Sequence, residues 1–135
     1  MLEQIVEQAV ATAKTRLEQS PIEEAQITIA ALVSPDRAHN AMDYWPLLSV
    51  SVNRKGEILF HTAKINQVKN APLDEAKAQV WRDNRQSLGL TEAPKGVVRA
   101  IKHPELYMTP EIRTWVRATA EHLNLLAEQL RNNLK

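Results

Sequence analysis

The stretch from Leu47 to Thr62, LLSVSVNRKGEILFHT, restricts the fold more than any other part of this chain. Apolar and polar residues alternate on both sides of Asn53-Arg54-Lys55-Gly56, the pattern of two half-buried strands joined by a turn. Asn53 can bond backbone groups just beyond itself, and Gly56 accepts a positive φ without strain. The four residues therefore suit a type I turn closed by a left-handed residue. Such a turn fixes the register. It sets Val52 against Ile58, Val50 against Phe60 and Leu48 against Thr62 on an apolar face, and Ser51 against Leu59 and Ser49 against His61 on a mixed one. A hairpin alone is marginal in water, so the rest of the chain must cover the apolar face.

The chain has the material to do so. Its 135 residues make one domain, 1–135, and 44% hydrophobic with 24% charged residues is the balance of a globular protein with a core of its own. The absence of cysteine excludes disulfides, thiolate metal sites and a cysteine nucleophile. Three glycines leave nothing from which to build a glycine-rich phosphate loop. No apolar run approaches the roughly 18 residues of a bilayer span, so no membrane partner is expected. The first residues, MLEQIVEQAV, carry acids where a secretory signal carries bases, which points to the cytoplasm. A net charge of +1 exerts no strong pull on nucleic acid or acidic partners, although Lys and Arg outnumber Asp and Glu between residues 64 and 117.

Leu2, Val6, Ala9, Ala13 and Leu17 recur at helical spacing and predict a helix over 2–18, ended by Pro21. Gln26 to Val33 alternates as a strand, and Ser34 to Trp45 reads as a long loop. A second helix is expected from Asn70 or Ala71, with Pro72 in its first turn, a buried stripe of Leu73, Ala76, Val80, Ser87 and Leu88, and a left-handed stop at Gly89. Val97 to Ile101 reads as a short fourth strand. Thr109-Pro110-Glu111 combines a hydroxyl cap, a first-position proline and an acid, and starts a long C-terminal helix that runs to Leu134. The order α-β-β-β-α-(β)-α predicts an α+β fold: a three- or four-stranded antiparallel sheet with helices packed on one face.

Few residues form a pattern that chemistry would need. His61 lies opposite Ser49 and beside Ser51, a base next to hydroxyls, but no nucleophile elbow surrounds either serine. A half-exposed polar pair across the strands accounts for them better. Asp36, His39 and Asp43 are suitable metal-ligand types at a spacing that matches no recognised site. No catalytic residue, metal or cofactor is therefore expected. Tyr44 and Trp45 are the densest aromatic spot in a chain with six aromatics. On the second helix Trp81 and Arg85 are four apart, so the guanidinium can lie against the indole. With Arg82 these make a possible binding set: Tyr44, Trp45, Trp81, Arg82 and Arg85. Together with Lys64, Lys69, Lys95, Arg99, Lys102, Arg113 and Arg117 they could form a basic face for nucleic acid, interrupted by Asp74, Asp83 and Glu92.

In the last helix Ile112, Val116, Thr119, Leu123, Leu126, Leu130 and Leu134 keep one seam apolar to the chain end. A helix of about 25 residues measures about 37 Å, against roughly 20–27 Å for strands of six to eight residues. The helix should therefore overhang the sheet. Either the N-terminal helix covers the excess or a second copy does, and the latter makes Leu123, Leu126, Leu130 and Leu134 a homodimer interface. On these grounds a non-catalytic interaction or regulatory protein, acting on an unknown protein partner and forming a homo-oligomer, ranks first. A nucleic-acid-associated protein using residues 64–117 ranks second, and a small-ligand binder or unrecognised enzyme third.

Overall fold

The computed structural model describes residues 1–64 and 67–133. The turn at Asn53 forms as its residues dictate. The Asn53 side-chain oxygen accepts from the Lys55 and Glu57 N–H groups at 3.0 Å each, and the Gly56 N–H donates to the Asn53 carbonyl at 3.0 Å. The flanking strands take the expected register at all five pairs, from Val52 with Ile58 to Leu48 with Thr62. Gly56 has φ +82°, and a Cβ built there would meet no atom within 4 Å. Its requirement is therefore conformational and not steric. Gly56→Val should lower the urea midpoint by the equivalent of about 1–3 kcal/mol, the cost of a β-branched residue at positive φ. An unchanged midpoint would show that the turn does not hold the register.

The elements are α1 (Leu2–Gln19), β1 (Glu24–Asp36), β2 (Ala41–Asn53), β3 (Ile58–Thr62), β4 (Lys69–Pro72), α2 (Glu75–Ser87), α3 (Val97–Lys102), α4 (Pro104–Tyr107) and α5 (Pro110–Asn133). The fold is α+β, with a four-stranded antiparallel sheet and a long C-terminal helix. β2 is the central strand. β1 runs along one side of it, and on the other side β3 pairs with Leu48–Val52 and β4 with Ala41–Tyr44. Trp45 secures the passage between the two short strands: its indole N–H donates to the Lys64 carbonyl at 2.8 Å.

Several elements differ from the sequence expectation. The stretch 34–45 is not a loop but a second hairpin. β1 and β2 continue through it to a single 3₁₀ turn at Arg37–His39, closed by Asn40 in the left-handed region (φ 49°). The Asp36 carboxylate accepts from the His39 ring nitrogen at 2.7 Å and from its backbone N–H at 3.3 Å, and the ring contact holds the carboxyl below its ordinary pKa. Residues 69–72 form strand and not helix, because β2 outruns β3 and offers them backbone partners. α2 instead starts after Asp74, whose side chain caps the Lys77 N–H at 3.0 Å. Its buried line is Ala78, Trp81 and Leu88, whereas Val80 is 55% exposed. Val97 to Lys102 is helix, with Val97, Val98, Ala100 and Ile101 all buried.

Two register shifts between β1 and β2, at Thr28/Ala30 and Ala30/Ala31, change which residues face which layer. Leu48 and Val50 join Leu47, Trp45, Ala30 and Leu32 in the main core beneath α1, α3 and α5. Beyond the shifts, Ala31 and Met42 turn to a separate cluster with Ala78 and Trp81 of α2. Trp81 and Asn84 also donate from α2 to the Thr28 and Ile29 carbonyls, at 3.1 and 2.8 Å. Asp43 ties the far end together, accepting from Asn70 of β4 and Lys102 of α3 at 3.0 Å each. Burial pushes the Asp43 carboxyl up, but these two bonds outweigh it and leave the group below its ordinary pKa. Among the described residues no helix is long and apolar enough to cross a membrane.

Candidate functional site

The ridge that builds the most open chemistry is the inner edge of α2. Ala78, Trp81, Arg85 and Leu88 succeed one another at helical spacing, so Arg85 sits on the packed stripe between a buried tryptophan and a buried leucine. An arginine there cannot leave for solvent without unpacking its neighbours, and its side chain is half-buried. After Leu88 the chain turns off through Gly89 at φ +72°, and the His122 ring Nε2–H donates to the Leu88 carbonyl at 2.6 Å. This stop aims residues 90–96 back across the sheet, forming a groove against β1, α3 and the start of α5.

The groove has two chambers that share Leu32, Arg85 and Ala93. The larger, about 380 Å³, adds Leu47, Leu90 and Trp115, with Gln86, Thr91 and Glu92. The smaller, about 170 Å³, is lined by Arg82, Arg85 and Arg99 together with Ser34 and the start of α3, and has no acidic residue in its lining. Each arginine is held by its own element. Arg82 donates to Gln79 at 3.2 Å one turn back. Arg99 and Lys102 are the exposed residues of a helix otherwise buried, and the Arg99 guanidinium carbon lies 3.7 Å from the Tyr107 ring centroid. Among the described residues the Arg85 guanidinium has no hydrogen bond and no ion pair. Burial, then the neighbouring Arg82 charge, pulls its guanidinium below the ordinary pKa, while Glu92 acts in the opposite direction. Two like charges beside a chamber whose lining holds no acid favour an anion there.

The remaining sequence candidates distribute elsewhere. Tyr44 and Trp81 do meet, with ring centroids 4.8 Å apart, but nearer the N-terminal end of α2, where they line a second cavity with Arg16 and Lys77. Burial raises the Tyr44 hydroxyl pKa. Trp45 is fully buried in the core. The set of five thus divides into an aromatic pair, a core residue and the arginine pair. Arg99 belonged only to the wider basic face in the sequence reading; the pocket role of Trp115 had no signal beyond its residue type. Lys102 is engaged by Asp43, so the basic segment is not a continuous track.

Ser51 and His61 share a hydrogen bond of 2.9 Å between Oγ and Nε2, the diagonal partner to the Ser49–His61 pairing of the backbone. Ser51 is buried, and among the described residues no carboxylate orients the other ring nitrogen, so the geometry is that of a cross-strand polar pair. Among the described residues no three His, Asp or Glu side chains converge as metal ligands. Asp36 and His39 bond each other, and Asp43 is occupied as described above.

Part of the apolar seam of α5 is buried within one chain. Leu123 is fully buried and Leu130 is 6% exposed, both in the main core with Ala127, and Leu126 packs partly against it. Leu134 lies outside the described residues. The strands are longer than the six to eight residues expected: β1 and β2 have 13 residues each, about 43 Å at 3.3 Å per residue, while the 24 residues of α5 span about 36 Å. α1 adds Val6 and Ala9 to the same core. The leucine that α5 presents outward is Leu125, 62% exposed.

No protein-family model, no curated protein and no solved structure matches this chain.

Proposed function

We propose that the protein is a non-catalytic binding protein of the cytoplasm that recognises an acidic partner through Arg82, Arg85 and Arg99. The observation that supports this reading is Arg85: it lies on the packed stripe of α2, beside a second guanidinium, and among the described residues its guanidinium makes no hydrogen bond or ion pair. Guanidinium groups pre-positioned in this way bind carboxylates or phosphates at little ordering cost. A labelled oligo-glutamate peptide should bind the wild type and bind less as salt rises. The Arg82→Glu, Arg85→Glu double variant should bind about tenfold more weakly or worse, the loss of at least one charge-assisted hydrogen bond, while circular dichroism shows it still folded. Equal binding by wild type and variant would refute the reading. Tight retention of duplex DNA by the wild type in place of the peptide would transfer the basic segment to the nucleic-acid alternative.

A further inference from the structure

We infer that the smaller chamber binds a dianionic phosphate group, as the free ion or as a terminal monoester, through Arg82, Arg85 and Arg99. The inference rests on the reading above and narrows it from an acidic group at large to one kind of anion. Three features carry it. First, the arginines reach the chamber from two elements, Arg82 and Arg85 from α2 and Arg99 from α3. A carboxylate offers one pair of oxygens, which a single guanidinium fork satisfies. A phosphate monoester offers three free oxygens and can accept from several donors at once. Second, the charges balance. The lining holds three arginines and no acid, and Glu92, the carboxylate that acts on Arg85, lies outside it. Counting Glu92 against Arg85 leaves two positive charges, and a phosphate monoester carries about −1.5 to −2 at pH 7 where a carboxylate carries a single charge. Third, the chamber is about 170 Å³, below the roughly 300–1,000 Å³ of pockets that enclose a whole small molecule. It takes a phosphate and leaves the rest of any larger ligand outside.

The same features disfavour a running nucleic-acid strand. A phosphodiester has one charge, two free oxygens and a chain on either side, so it matches a small recess with three cations poorly. Lys102, which would extend a basic track along α3, is engaged by Asp43. The stacking of Arg99 on Tyr107 fixes the plane of its guanidinium, and the N–H groups lie in that plane and can still donate.

The test is fluorescence anisotropy with the full chain and labelled peptides of one uncharged sequence, carrying phosphoserine, glutamate or serine at the centre, with the oligo-glutamate peptide as reference. The phosphoserine peptide should bind at least about tenfold more tightly than its glutamate counterpart, the fold-change equivalent of one further charge-assisted hydrogen bond. The serine peptide should not bind. Arg99→Gln, at an exposed position and folded by circular dichroism, should remove most of that preference. It should leave oligo-glutamate binding within about fivefold, the effect of one exposed charge. Arg99→Lys should restore part of the preference. Inorganic phosphate titrated against the bound phosphoserine peptide separates the two sources. Displacement at a concentration near the peptide's own Kd assigns the chamber to the free ion, and displacement only in large excess assigns it to the ester. No displacement at any concentration would overturn the inference. Equal binding of the phosphoserine and glutamate peptides would overturn the phosphate and leave the acidic reading standing. Binding of neither the phosphoserine nor the oligo-glutamate peptide would overturn both.

Discussion

Replacing Trp45 by alanine is expected to cost about 3–5 kcal/mol of folding stability, the usual range for removing a buried tryptophan. Trp45 is fully buried on the central strand, where the main core passes under α1, α3 and α5. Its ring centroid lies 6.5 Å from that of Trp115, and its N–H is the bond that pins Lys64 between β3 and β4. Removal thus opens a cavity in the core and releases the passage between two short strands. Trp45→Phe should be clearly milder, because a ring still fills most of the space. Urea unfolding monitored by circular dichroism measures both. A loss below about 1 kcal/mol for the alanine variant would place Trp45 outside the core, since it is less than the smallest cavity effects seen for large residues.

The double substitution Leu126→Glu, Leu130→Glu is expected to unfold the protein, not to separate a dimer into folded monomers. Leu130 is packed in the main core and Leu126 lies against it. A carboxylate forced into such a place without a partner costs several kcal/mol, and two of them match the total stability of a typical domain, about 5–15 kcal/mol. Leu125→Glu on the exposed side of the same helix is the control and should leave the fold intact. Sedimentation together with circular dichroism separates the outcomes. A folded, monomeric double variant derived from a dimeric wild type would restore the seam as an interface between copies.

The hairpin was legible because its turn is self-contained: Asn53 and Gly56 set the register whatever the rest of the chain does. The α5 start was legible for the same reason, since the Thr109 hydroxyl accepts from the Ile112 N–H at 3.1 Å within one turn. What escaped depends on distant partners. KNAP at 69–72 has no strand pattern and becomes a strand only because β2 leaves a length unpaired. Ser34-Pro35-Asp36 read as a turn, yet β1 runs on through it with Pro35 opposite Met42, and Pro46 sits beside the register shift, where a proline is tolerated in a sheet. VVRAI at 97–101 is too short for its period to separate strand from helix. The arginine pair was marked from its neighbours in sequence, but the groove was not, because its walls come from β1, β2, α2, α3 and α5. The buried stripe Ala78, Trp81, Arg85, Leu88 was the one sequence signal for it, and it was missed by following Ala76 and Val80 instead.

The two hydrogen bonds from α2 to β1 have a consequence for how this protein behaves in a crowd. β1 is the outermost strand on its side, and an outermost strand offers its spare backbone groups to any passing chain. Trp81 and Asn84 already occupy the carbonyls of Thr28 and Ile29, at the point where the strand's regular pairing is broken. A foreign strand that pairs through Thr28 and Ile29 must first displace a helix that is anchored in its own apolar cluster with Ala31 and Met42. α2 therefore closes this stretch of the outer strand to templated growth at the same time as it carries Arg82 and Arg85 of the groove.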